Sequence, residues 1–210
     1  MQLSFFTGLG LEVHAQEGLL AHNTREEIHR TTQALLRSTQ PNDAVAALFF
    51  AHPSVTAAFP AEGARAVGWT ETPLLCAQDA LLPYFGLRVV LLRAPLGAPW
   101  VGLRGATPVK TPPKDAFLSL ITAMQQQNPG LATAPQAIIT TVTSDLEAFS
   151  PQEALQELSW GQGLSVDGFE LNVPSIPKVM RVLILLKTTE RARHVFLGET
   201  IRLRPDLQKE

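Results

Sequence analysis

The 210-residue chain contains one cysteine, Cys76, which excludes an internal disulfide framework and fits a reducing compartment. Basic residues are not in excess. The 17 Lys and Arg against 19 Asp and Glu leave a net charge of −2, so the broad cationic face that a nucleic-acid groove needs is missing. No segment reaches the roughly 18 apolar residues of a membrane span. The start Met1-Gln2-Leu3-Ser4-Phe5-Phe6 has no basic stretch leading into a long apolar run. These absences predict a globular cytoplasmic protein that partners neither nucleic acid nor membrane.

The chemistry that the chain lacks narrows its function further. His14, His22, His29, His52 and His194 show no two-residue or helical ligand spacing, and with one thiol beside them no metal site is expected. Gly8-Leu9-Gly10 and Gly161-Gln162-Gly163 lack the third glycine, the following helix or the Lys-Ser/Thr pair of a nucleotide loop, so no cofactor is expected either. Near Cys76 the only available base is Asp79, beyond the carboxamide Gln78. Cys76 therefore reads as a buried structural thiol rather than a nucleophile.

What the chain does have is an arginine set into a run of strand formers, and it has this twice: Val179-Met180-Arg181-Val182-Leu183-Ile184-Leu185-Leu186 and, earlier, Leu87-Arg88-Val89-Val90-Leu91-Leu92. Burying a guanidinium on an apolar strand costs several kcal/mol unless an anion answers it. A strand-edge arginine with its head in solvent is the plain alternative for either strand alone, but the recurrence favours an anion site.

The order of elements recurs as well. Residues 3 to 13 read as a strand, and Thr24 with Glu27 opens a helix carrying Ile28, Thr32, Leu35 and Leu36 on one face. A strand over 44–51, a short helix over 59–65 with proline in its first turn, and strands over 72–78 and 87–94 complete a βαβαββ series. Past the joint Pro95-Leu96-Gly97-Ala98-Pro99 the series restarts. It gives a strand over 101–106, a helix over 114–127 buried through Phe117, Leu120, Ile121 and Met124, a strand over 137–143, a short helix over 151–158, and strands over 163–171 and 179–186. A further strand at His194-Val195-Phe196-Leu197 and the ending Ile201 to Leu207 have no counterpart in the first half. The expected fold class is α/β (α+β), with two tandem domains over 1–98 and 99–210, the first shortened, each a mixed sheet with helices packed on one face.

Arg104, Arg181, Arg204, Arg65 and the carboxylate Glu170 form a set suited to a small dianion. Arginine forks match carboxylates through paired hydrogen bonds, and a carboxylate among them orients a hydroxyl. With no histidine base and no nucleophile, the chemistry expected is positioning and electrostatics rather than proton transfer.

These residues also carry a family resemblance. Leu103-Arg104-Gly105-Ala106-Thr107, Phe59-Pro60-Ala61-Glu62-Gly63-Ala64-Arg65 with Gly68-Trp69, Pro73-Leu74-Leu75-Cys76-Ala77-Gln78, Met180-Arg181-Val182, His194-Val195-Phe196-Leu197 and Leu203-Arg204-Pro205-Asp206-Leu207 stand in an order that resembles the monofunctional, trimeric α/β chorismate mutases. The match covers nearly the whole chain, split over two copies. The first copy keeps Phe59, Arg65, Cys76 and Arg88 but has His14-Ala15-Gln16 in place of the Arg-Gly-Ala motif and Asp79 in place of glutamate. The second keeps Arg104, Glu170, Arg181 and Arg204 but has Gln156 for the helix arginine, Asp167 near the usual cysteine and Phe196 for the usual tyrosine.

The resemblance implies rearrangement of chorismate to prephenate at a composite site, with the Phe and helix arginine from one domain and the other charged groups from its neighbour. Arg181 would face the breaking ether oxygen and a substrate carboxylate, while Glu170 would hold the ring hydroxyl. Arg104 and Arg65 would neutralise carboxylates, Arg204 would close the site, and Phe59, Phe196, Cys76 and Arg88 would contribute to binding. It also implies a homo-oligomer, with a trimer ahead of a dimer. The alternative is a catalytically inactive relative that binds a small carboxylate or acts as an assembly or regulatory partner.

Overall fold

A computed structural model of the chain describes residues 4–129, 135–146, 151–158 and 164–204. Gly161-Gln162-Gly163 and the ending Pro205-Asp206-Leu207 lie outside the described residues. The chain divides into two compact units, the first comprising Met1–Ala98 with Glu170–Ser175 and the second Pro99–Phe169 with Ile176–Glu210. From sequence alone, 170–175 falls in the second half; in the structure it groups with the first.

The first unit holds helix α1 (Ser4–Gly8), strand β1 (Glu12–Leu19), helix α2 (Arg25–Leu36), strand β2 (Ala46–Ala51), helix α3 (Pro60–Arg65), and strands β3 (Leu74–Gln78) and β4 (Gly86–Arg93). The sheet order is β1-β4-β2-β3, with β2 and β3 parallel and the other pairings antiparallel. The second unit holds β5 (Trp100–Pro108), α4 (Pro113–Gln127), β6 (Ala137–Val142), α5 (Pro151–Glu157), β7 (Leu164–Phe169), β8 (Val179–Lys187) and β9 (Val195–Phe196). Its sheet runs β7-β6-β8-β5-β9. Read from the other edge, β5-β8-β6-β7 repeats the order of the first sheet, and β9, outside β5, is the addition. The two mixed α/β units are thus tandem versions of one topology.

The expected first strand over 3–13 is corrected. Residues Ser4–Gly8 are helical, the turn is made at Gly10 with φ +83°, and the strand begins at Glu12. The displacement has a physical cause. Strand β1 is a mostly exposed edge strand with few apolar residues, held by eight-residue pairing to β4 rather than by its own hydrophobic alternation. After β9, Gly198–Leu203 forms a 3₁₀ helix.

Helix α2 starts where Thr24 predicts. The Thr24 Oγ1 accepts the N–H of Glu27 at 3.3 Å, while the Glu27 carboxylate reaches Ala21 N–H instead of closing a reciprocal box. Ile28, Phe49, Leu87, Val89 and Leu91 build the core between α2, α3 and one face of the first sheet. Phe117, Leu120, Ile121, Val182 and Ile184 do the same beneath α4 and α5 in the second. Proline at its first position sets α3, and Gly63 lets α3 approach α2. A Cβ at Gly63 would lie 2.8 Å from the His29 Cα, a backbone atom that cannot swing aside. Gly63→Ala should therefore destabilise the first unit by about 1–3 kcal/mol, read as a lower unfolding midpoint; an unchanged midpoint would contradict this close approach. Among the described residues no helix is long and apolar enough to cross a membrane.

Candidate functional site: an arginine cluster on the second sheet

Strand periodicity assigns the faces. In β8 the side chains of Met180, Val182, Ile184 and Leu186 go to the helix-covered core, so Arg181, Leu183 and Leu185 take the opposite face. The ladder sets Ala106 and Thr141 directly across from Arg181, and Arg104 across from Leu183. Arg104 and Arg181 are consequently diagonal neighbours on one face of adjacent strands, within reach of long side chains. Both are buried, at 5% and 3% exposure. Strand β9 lies on the free edge of β5 and pairs Phe196 with Ala106.

The Phe196 ring gathers the second and third cations. The Cζ atoms of Arg104 and Arg204 each stand 5.8 Å from its centre, inside the range of cation–π attraction, and Arg204 is 2% exposed. Arg204 is held there by the 3₁₀ turn, its N–H donating to Ile201 O at 3.0 Å. The backbone N–H of Arg104 donates to His194 Nδ1 at 3.2 Å. Two guanidiniums thus meet one aromatic ring in the second unit, with Arg181 diagonal to the first of them on the same sheet face. The planar guanidinium forks suit carboxylates.

The first unit treats its own strand arginine differently. Arg88 Nε donates to Glu17 at 2.7 Å and its Nη1 to Asp79 at 3.3 Å. Glu17 is the residue directly across the ladder from Arg88, the place that Ala106 takes opposite Arg181. Register also moves the expected motif by one residue. Ala15 lies across from Val90 as Arg104 lies across from Leu183, so Ala15-Gln16-Glu17, not His14-Ala15-Gln16, stands at the place of Arg104-Gly105-Ala106. A first strand over 3–13 leaves Glu17 outside the pairing, and only the register that sets it across from Arg88 identifies it.

The remaining candidates fall in the first unit. Phe59 precedes α3 and Arg65 is in its last turn, both half-buried. Cys76 pairs with Phe49 and packs in the core under α2 and α3, on the sheet face away from Arg88. By register Asp79 is the counterpart of Glu170, since Ala51–Gln78 and Val142–Phe169 are equivalent pairs one residue earlier. Glu170 is buried at 2% exposure and groups with the first unit, where its carbonyl accepts Gln78 Nε2–H at 2.7 Å. The structure thus brings Arg104, Arg181, Arg204 and Phe196 together in the second unit, and places Phe59, Arg65, Cys76, Arg88 and Glu170 in the first.

The family described as chorismate mutase type I matches residues 19–90 and 100–207. The chorismate mutase AroH of Thermus thermophilus is 37% identical over 117 residues, which span 51% of this chain and 95% of that protein. AroH of Bacillus subtilis (strain 168) is 31% identical over 118 residues, 50% of this chain and 91% of its own. A solved chorismate mutase from Clostridium thermocellum is 30% identical, with a TM-score of 0.41, covering 46% of this chain and 93% of that one. Relatives that match about half of this chain are themselves matched nearly end to end, and the family description fits one stretch before the joint and one after it: the chain belongs to the chorismate mutase type I family.

Proposed function

We propose that the chain, an isomerase by its family, is a cytoplasmic enzyme that rearranges chorismate to prephenate at a composite site. Arg104, Arg181 and Arg204 come from a second unit, and Phe59 and Arg65 from a first. The observation that carries this reading is a trio of buried arginines in one unit, Arg104 and Arg204 at the Phe196 ring and Arg181 diagonal to Arg104 on the same sheet face, in a chain whose relatives are named chorismate mutases. Chorismate carries two carboxylates, and the forks of Arg104 and Arg65 are suited to holding them in the folded conformer that reacts. The ether C–O bond then breaks as the new C–C bond forms within one molecule, with no net proton transfer. Negative charge develops on the ether oxygen, and Arg181 is the cation assigned to it. A fixed cation at such a point, shielded from water, is typically worth roughly 3 kcal/mol of barrier. Glu170 is assigned the ring hydroxyl.

Arg88 receives no anion role in this scheme, because Glu17 and Asp79 already answer its charge. One type of site, centred on Arg181, is therefore proposed. Its test is the loss of chorismate absorbance in the ultraviolet with purified protein. Saturable turnover is the expected result. Binding of a small dicarboxylate without turnover would select the inactive-relative reading instead.

A further inference from the structure

We infer that His194 is a positioning residue: its Nδ1 accepts the backbone N–H of Arg104 and so fixes the point on β5 from which that guanidinium is aimed. Its bearing on catalysis rests on the proposed function, through the role given there to Arg104.

The need for this contact follows from how β9 ends. Residues two apart on a strand direct their N–H and C=O groups to the same side. Ala106 O accepts Leu197 N–H at 2.9 Å, so the Arg104 N–H also points toward the β9 edge. A longer parallel β9 would offer it the carbonyl of residue 193. That carbonyl is engaged elsewhere, because Asn128, just past α4, donates its Nδ2–H to Arg193 O at 3.0 Å and accepts Arg193 N–H through Oδ1 at 2.7 Å. Asn128 Nδ2 is also hydrogen-bonded to Met124 O at 2.8 Å, which ties residue 193 to the helix instead of the sheet. Strand β9 then begins only at Val195, and the imidazole of His194 takes the place of the diverted carbonyl.

The contact defines the tautomer. A ring nitrogen that accepts a hydrogen bond carries no proton, so neutral His194 keeps its proton on Nε2. It also complements Phe196, two residues on. His194 holds the backbone of Arg104 while the Phe196 ring meets its guanidinium, so one short segment fixes both ends of the same residue.

Three variants test the inference. Asparagine can offer Oδ1 near the place of Nδ1, glutamine places its amide farther out, and alanine offers no acceptor. His194→Ala and His194→Gln should speed hydrogen exchange at the Arg104 amide by at least about tenfold. They should also lower kcat/KM for chorismate by about 10- to 100-fold, at a temperature where circular dichroism shows the chain folded. His194→Asn should recover most of both. Amide exchange and kcat/KM unchanged in His194→Ala would overturn the inference, as would equal losses in the asparagine and alanine variants. A wild-type protein without mutase activity would sink the proposed function instead. The exchange order would then still decide whether His194 holds Arg104.

Discussion

Arg181→Ala is expected to lower kcat/KM by at least about a thousandfold, and Arg88→Ala by less than about tenfold. Both arginines sit at the same place in equivalent strands, so propensity and packing do not separate them. Their exposure does. Arg88 is partly exposed and bridges Glu17 on the neighbouring strand and Asp79 after β3. Removing it loses a pair with the exposed Glu17, worth about 0–1 kcal/mol, and one with the buried Asp79, a cost that falls on stability rather than on turnover. Arg181 is 3% exposed and faces Ala106 and Thr141 across the ladder, so a cation is held where substrate charge is proposed to develop. Arg181→Lys should recover little, because one ammonium cannot reproduce the planar fork. The measurement is steady-state kinetics on chorismate, with circular dichroism to confirm that each variant is folded. Equal losses from the two alanine substitutions would remove the assignment of a single site type.

The contrast between these arginines also separates what is legible in the sequence from what is not. The recurrence of the strand order, the apolar stripe of α4 and the proline start of α3 follow from local pattern, and each stands within a few residues of its expected place. Arg181 is legible for a related reason. A charge set among the seven apolar residues of 179–186 is a local anomaly that demands a partner. Pairing register is different, since it depends on which strands meet. Strand β1 alternates too weakly to announce itself, so its start was read nine residues early, at 3 instead of Glu12, and Glu17 could not be matched to Arg88. The grouping of Glu170–Ser175 with the first unit is tertiary in the same sense. Nothing in the composition of Glu170-Leu171-Asn172-Val173 distinguishes a segment that stays with β7 from one that leaves it. The role of His194 was hidden because its partner is a backbone N–H, which has no sequence signature. Searching histidines for ligand spacing tests side-chain chemistry alone.

Arg65→Ala and Arg104→Ala are each expected to reduce activity by at least about a hundredfold as single variants, although the two residues lie in different units. The proposed composite site would require both for one substrate, and losing either would remove a fork from a carboxylate that the reactive conformer must bring close to the other. Mixing the two variants then tells whether a site draws its units from one chain or from two. If sites form between chains of a closed ring, random exchange gives about a quarter of them an intact Arg65 from one variant and an intact Arg104 from the other. The mixture should then recover up to about that share of wild-type activity. Sites formed within a chain recover none, because every chain lacks one arginine. The ring geometry implied by the family resemblance favours the first outcome. A ring of three domains cannot be completed by two-domain chains without leaving domains over, and three chains filling two rings is the smallest closed arrangement. Sedimentation should accordingly report an oligomer, a trimer ahead of a dimer, and the regain should follow subunit exchange in time. Full activity in Arg65→Ala alone would remove the first unit from the site. A stable, active monomer at nanomolar concentration would rule out sharing of sites between chains.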